Sequence, residues 1–186
     1  MGVRFAEAAA IAAVQNGRVT TAQLRACGFG NSGIERGAEA GRLHRVHRGV
    51  FAVGHLAPSR LGDWHAAVLA CGEGSRLSHR CAATLMKIRD GVGPRIDVTI
   101  PTTSGRRRPG ILIHHGALPP YEVGTWSNIP VTSPARTMVD LAHELDEEDD
   151  IEWALRQLQY RRLFDCTALE LANRRRPNRV LTRFQQ

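Results

Sequence analysis

The chain has 186 residues, 42% hydrophobic and 5% aromatic, enough for one or two domains with a core built mainly from Leu, Val, Ile and Ala. No apolar run approaches a membrane span, and four scattered cysteines (Cys27, Cys71, Cys81, Cys166) form no CxxC pair, which argues against a membrane helix and a disulfide scaffold. The net charge of +7 rests almost wholly on arginine, with Lys87 the only lysine, and points to a negatively charged partner such as nucleic acid.

In chain order, residues 3–16 read as a helix with Phe5, Ala9, Ala12 and Ala13 on one face, ended by Asn16-Gly17. A second helix follows, with Thr20 or Thr21 as N-cap, Leu24 and Cys27 inward, and Gly28 closing it. In the third, Ser32 and Glu35 fit a capping box and Gly41 fits the C′ position. Gly33 and Gly37 each cost this helix about 1 kcal/mol relative to Ala, so it needs tertiary support. Residues 41–53, GRLHRVHRGVFAV, form a hairpin turning at Arg48-Gly49. The expected register pairs Val46 with Phe51, His44 with Val53, Arg45 with Ala52 and His47 with Val50. Helix, helix, short helix, hairpin is the order of a winged helix-turn-helix.

Residues 55–58 read as a linker. Helices are expected from Ser59, with Leu61, Trp64, Val68 and Leu69 inward, and again after Ser78 as N-cap. Residues 95–101 and 110–116 are strands joined by the basic turn TTSGRRRPG, and 128–132 is extended. Ser133-Pro134 starts a helix as N-cap and N1, and another spans DEEDDIEWALRQLQYRRL, its acids in the first turn. The tail after Thr167 starts helical and then becomes loose. The fold class is therefore α+β: an N-terminal winged helix-turn-helix, then a mixed α/β domain with a small sheet. The expected boundaries are 1–56, 57–165 and a basic tail, 166–186.

Catalytic patterns are sparse. His44 and His47 are three apart on a strand, and His114 and His115 are adjacent, so strand parity sends each pair to opposite faces. With no HExxH and no Cys/His cluster, no metal and no cofactor are expected. Ser78-His79 has no identifiable third group and reads as a helix cap. Asp97 reads as a solvated strand residue or a partner of Arg95. Arg136 and Asp140, four apart, would pair on a helix surface for a few tenths of a kcal/mol.

Nucleic acid fits better. Residues 1–58 hold seven arginines against three acids. The recognition helix would be 32–40. Arg36 is the best base reader, because bidentate arginine–guanine is the commonest specific contact. Ser32, Asn31, Thr21 and Gln23 would join it, and Arg42, Arg45, His47 and Arg48 would meet the backbone or minor groove from the wing. Glu35 and Glu39 count against a strongly DNA-facing helix.

The stretch TTAQLRACGFGNSGIERGAEAGRLHRVHRGVFAVG resembles the N-terminal winged-helix domain of AbiEi-type antitoxins of type IV toxin–antitoxin systems. The likeness continues through LSHRCAATLMKI and IPVTSPARTMVDLAHEL, covering roughly residues 15–165. It implies a DNA-binding domain that represses its own operon at inverted repeats in double-stranded DNA. It also implies a second domain acting against a nucleotidyltransferase-like toxin. The family's DNA-binding residues match Ser32 to Glu39 and Arg42 to Arg48; Gly37-Ala38 departs from the bulkier or basic residues common there. Some relatives carry a C-terminal Vsr-like nuclease domain, which this chain would lack, so no enzymatic activity is expected. The expected protein is a cytoplasmic, membrane-free, DNA-binding autorepressor. The alternative is a protein-binding module that engages a toxin or other partner through residues 59–165, with a vestigial winged helix.

Overall fold

A computed structural model describes residues 3–55, 57–103 and 107–184. Among them the chain is mixed α+β, with nine α-helices and two sheets, and it divides into two compact units.

The first unit takes the chain up to Ser75 together with Ser127–Ile129. Helix α1 (Val3–Val14) buries Ala8 and Ala12 and leaves Ala13 exposed. It ends at Asn16-Gly17, whose φ angles of 53° and 81° break the helix. Strand β1 (Arg18–Thr20) leads directly into α2 (Thr21–Ala26). Thr20 is the N-cap: its hydroxyl accepts from the Gln23 amide, and the Gln23 side chain accepts from the Thr20 amide. Such a cap contributes about 1 kcal/mol. Leu24 and Cys27 are buried, and Gly28 at φ 81° turns the chain so that Phe29 can enter the core.

Helix α3 (Asn31–Glu39) departs from expectation at its start. Its N-cap is Gly30 and has no side-chain hydrogen bond. Ser32 lies within the first turn, two residues past the cap position, so the Ser32–Glu35 box does not form. Ile34 and Gly37 face inward. Gly37 has a packing reason: a Cβ there would lie 2.9 Å from Leu43 Cδ1 and 3.3 Å from Phe5 Cζ. The glycine lets α3 approach the chain that follows.

Strands β2 (Leu43–His47) and β3 (Val50–Val53) form the hairpin, turning at Arg48-Gly49 with Gly49 at φ 80°. The register differs from the expected one. Leu43 pairs with Val53, His44 with Ala52, Arg45 with Phe51 and His47 with Val50, with a bulge between Arg45 and His47. Only the His47–Val50 pair agrees. The extra residue, Val46, slips the rest by one and is only half-buried, while Leu43 takes the core position. The bulge also overturns the parity argument for the histidines: His44 and His47 now lie opposite Ala52 and Val50, two positions on one side of β3.

The sheet order is β1-β3-β2. Ala8, Ala12, Val19, Leu24, Phe29, Ile34, Leu43 and Phe51 form one buried cluster. Helix α4 (Arg60–Cys71), capped by Ser59, packs on all three strands and buries Trp64, His65 and Val68. This is why the first unit extends to Ser75 and does not end near residue 56. Arg18, only 4% exposed, lies against Gly62 and pairs with Asp63 at 3.5 Å.

The second unit comprises Arg76–Trp126 and the chain from Pro130. Its sheet runs β6-β5-β4-β8-β7, formed by β4 (Arg76–Leu77), β5 (Ile96–Ile100), β6 (Ile111–His115), β7 (Val123–Trp126) and β8 (Ile129–Thr132). The two predicted strands β5 and β6 are parallel neighbours. No hairpin therefore joins them; residues 104–106 of the predicted basic turn lie outside the described residues. Strands β4 and β7 were not foreseen. A two-residue turn at Ser127-Asn128, with φ of 49° and 63°, links β7 to β8.

Helices α5 (His79–Leu85), α6 (Pro134–Ala142), α7 (Glu148–Tyr160), α8 (Cys166–Arg175) and α9 (Arg179–Arg183) complete the unit. Ser133 caps α6 as expected, accepting from the Arg136 amide, with Pro134 at N1. Helix α6 packs against α5, α7 and α8. The tail is not a loose basic extension. Helices α8 and α9 bury Leu169, Ala172, Val180 and Leu181, and Asn178 caps α9, so apolar spacing there outweighs the arginines. No helix of the described residues is long and apolar enough to cross a membrane.

Candidate functional site

The residues singled out in the first unit have divided roles. Thr21 is committed to the fold, its amide and hydroxyl both donating to the Gly49 carbonyl. Gln23 closes the α2 capping box and also donates to Gln15. Asn31 accepts from Arg25. His47 is half-buried. Ser32, Arg36, Arg42, Arg45 and Arg48 are exposed. Arg42 stacks on Phe5 with its guanidinium 4.7 Å from the ring centre, and Arg45 lies 4.8 Å over Phe51. Such stacking fixes a guanidinium without neutralising it. Arg36 and Arg42 also meet Arg4, which the sequence did not single out, around a cavity of about 360 Å³ that includes Phe5, Phe29, Gly33 and Gly37. Glu35 and Glu39 are exposed on the same helix.

The second unit holds a buried polar cluster. Asp97 is 4% exposed and contacts His114 Nε2 at 3.0 Å, so it is neither solvated nor the partner of Arg95. The parallel register explains the meeting: Thr99 lies opposite His114, and Asp97 shares its face two residues away. His114 and His115 do diverge, as parity requires; His115 Nδ1 bonds the Thr102 carbonyl at 2.6 Å. The His79 ring stacks on His114, centres 3.6 Å apart and planes 14° apart.

His79 itself is held from behind. Its Nδ1 lies 3.0 Å from Ser78 Oγ, and Ser78 accepts from the Thr99 hydroxyl at 2.8 Å. Ser78 occupies the N-cap position of α5, but its hydroxyl makes no capping bond and serves the histidine instead. The backbone of His79 sits at φ 50°, a left-handed conformation uncommon outside glycine. Burial, with His114 next, lowers its pKa to about 3, so the ring stays neutral. Burial pushes the neighbouring Cys81 thiol up to about 12, which makes it inert. Burial and then the Asp97 charge raise the Glu144 carboxyl, against the opposing pull of Arg80. One donor atom each from His79, His114 and Glu144 lies within 4.8 Å of the others.

Beside this lies an ion network. Arg136 Nε contacts both Asp140 oxygens at 3.0 Å, and its Nη1 reaches Glu122 at 2.6 Å. The pair expected on a helix surface is thus internal, with the Asp140 side chain fully buried. Burial pulls the Arg136 pKa down, but Asp140 and Glu122 outweigh it and the net shift is upward. Arg176 reaches Asp140 at 3.0 Å and Arg175 reaches Glu122 at 3.6 Å, so the tail supplies two of the three cations. His79, His114, Arg136, Arg175 and Arg176 line a cavity of about 300 Å³. The sequence reading missed this constellation; its residues come from separate elements, and the only prior signal was the polar residues within otherwise apolar segments.

The fold and site define a mixed α+β protein with an arginine-rich first unit and a buried histidine–carboxylate–arginine cluster in the second. No protein-family model matches the chain, and no curated protein matches it significantly. It is similar in structure to the RV2827C protein from Mycobacterium tuberculosis, seen in a crystal structure: TM-score 0.56 and 16% identity, covering 95% of this chain and 73% of that one. At that identity the likeness is one of fold alone.

Proposed function

We propose that the chain is a sequence-specific DNA-binding regulator whose first unit is a winged helix. One observation carries the reading: Arg36 on α3 and Arg42 before the hairpin share a concavity with Arg4, while Arg45 and Arg48 extend the basic surface along the wing. Helix α3 would enter the major groove and the hairpin would lie along the backbone. Arg36 reads a base, and the wing arginines set affinity through phosphates. Glu35 and Glu39 restrict α3 to an approach in which they point away from phosphate or accept from cytosine. That the protein is an antitoxin-like autorepressor rests on the family resemblance of its sequence blocks.

The test is a mobility-shift titration on the chain's own promoter with salt varied. Specific binding should exceed that to random DNA. Arg36→Ala should cost roughly 1–3 kcal/mol and relax sequence preference, whereas Arg45→Ala or Arg48→Ala should weaken all sequences alike and reduce the salt slope by about one. Binding no better than to random DNA would remove the proposal.

A second reading, a partner-binding second unit, is favoured by one feature. Arg95, Arg107 and Arg108 line a cavity of about 780 Å³ along Ile111–Ile113 of β6, the last strand of its sheet. An extended acidic segment of a toxin would match both the strand edge, unpaired among the described residues, and the charge. Co-purification with a neighbouring gene product that is lost on Arg107→Glu would support it.

A further inference from the structure

We propose that His79, His114 and Glu144 bind a zinc-class divalent ion, reached through the arginine-lined cavity of the second unit. Two imidazoles and a carboxylate are the donor set of zinc centres that keep a fourth position open. One donor atom from each of the three residues already lies within 4.8 Å of the others.

The surroundings are those of a ligand shell. Histidines that bind metal are oriented by a partner at the other ring nitrogen, commonly a carboxylate. His114 has Asp97 at 3.0 Å, and His79 has Ser78 at 3.0 Å, itself fixed by Thr99 at 2.8 Å. Two carboxylates at the site set its charge against the three arginines that line the cavity. Asp97 and Glu144 face two imidazoles, and the cation in direct contact with either carboxylate is Arg80, at 3.1 Å from Glu144. Asp140 does not add to this balance, being matched by Arg136 and Arg176. His79 and His114 both line the cavity, which provides the entry path.

The rings stack 3.6 Å apart and nearly parallel, so both in-plane lone pairs cannot meet one ion without a change. Binding exchanges the stack for two metal–nitrogen bonds. His79 is held by Ser78; His114, with a side chain 22% exposed and lining the cavity, is the ring that turns.

The test uses the full, untagged chain, stripped with chelator and titrated with Zn²⁺ by calorimetry. The histidine ring nitrogens are followed by NMR. One ion per chain should bind, with ring signals of His79 and His114 shifting together. Glu144→Gln changes a partly exposed side chain and should weaken binding at least tenfold; Asp97→Asn should weaken it roughly 10- to 100-fold. His55→Gln, exposed in the first unit and away from the cluster, should bind as the parent does. His114→Gln should abolish binding; if it does not fold, Glu144→Gln decides the matter alone, its chelated form being checked for an unchanged melting temperature. No saturable binding, or one-to-one binding that Glu144→Gln leaves intact, overturns the site.

Discussion

Gly33 and Gly37 lie one turn apart on α3, and replacing each by alanine should change stability in opposite directions. Alanine is favoured over glycine in a helix interior by about 1 kcal/mol, a term that favours both substitutions. At Gly33 the new methyl would meet only Phe29 Cδ1 at 3.6 Å, an ordinary contact, so Gly33→Ala should stabilise by up to about 1 kcal/mol. At Gly37 it would sit 2.9 Å from Leu43 Cδ1 and 3.3 Å from Leu43 Cγ and Phe5 Cζ. Leu43 is 1% exposed within the first unit's core, so it cannot swing away into solvent. Overpacking of this kind costs about 1–3 kcal/mol and outweighs the propensity gain, giving a net loss of up to about 2 kcal/mol. Urea unfolding, paired with native-state hydrogen exchange at the β1–β3 amides, assigns the change to the first unit. If both variants are stabilised equally, Gly37 is not placed for close packing and the account of α3 is wrong.

Other outcomes follow from the same geometry. Thr20→Ala should cost about 1 kcal/mol by removing the α2 cap, whereas Ser32→Ala, which caps nothing, should stay within about 0.5 kcal/mol; equal losses in urea unfolding would restore the expected Ser32 box. Asp140→Ala leaves Arg136 without its main partner in a buried setting and should cost about 3–5 kcal/mol in thermal unfolding, where a surface pair would cost a few tenths. His65 is buried, its Nδ1 3.1 Å from the Asn16 amide nitrogen, and burial followed by Arg18 lowers its pKa from 6.5 to about 4. The unfolded state therefore binds the proton first. The stabilisation is present above pH 6.5 and declines by about 1.4 kcal/mol per pH unit as pH falls towards 4. His65→Gln should flatten that decline in the first unit; an unchanged slope would count against the burial argument.

The first unit was legible where the signal is local. Asn16-Gly17, Thr20, Gly28, Gly41 and Gly49 each fix a break or cap through their own backbone chemistry, and the helix order followed from them. What the sequence hid there depends on pairing. A bulge at Val46 shifts Arg45 to face Phe51 and brings His44 and His47 to the same side of β3, and period-two reasoning has no means to foresee an inserted residue. In the second unit the cluster was illegible for the same reason on a larger scale. Asp97 and His114 meet because β5 and β6 are parallel, Asp140 because α6 packs on α5, and Arg175 and Arg176 because the tail folds back as α8. Each residue taken alone had a bland reading; only the topology makes them neighbours.

That cluster is also where the fold departs most from what stability requires. Buried ion pairs contribute little net stability, and an apolar replacement of similar volume is often as stable or more so. The Asp140 side chain is nonetheless fully buried, and Glu122 has an oxygen that is buried without a hydrogen bond. His79 adds a left-handed backbone at φ 50°, a cost of about 1–3 kcal/mol for a non-glycine residue. Ser78 serves that histidine at the expense of the helix cap it would otherwise form. Of these residues His79 and Glu122 line one cavity, while the other buried polar side chains of the unit, such as Thr132 and Thr137, bond each other within a core of Leu, Ile, Val, Ala and Met. A core selected for stability alone would spread or remove them. Their concentration is what a bound ligand explains, and it makes His79, His114 and Glu144 the first residues to test.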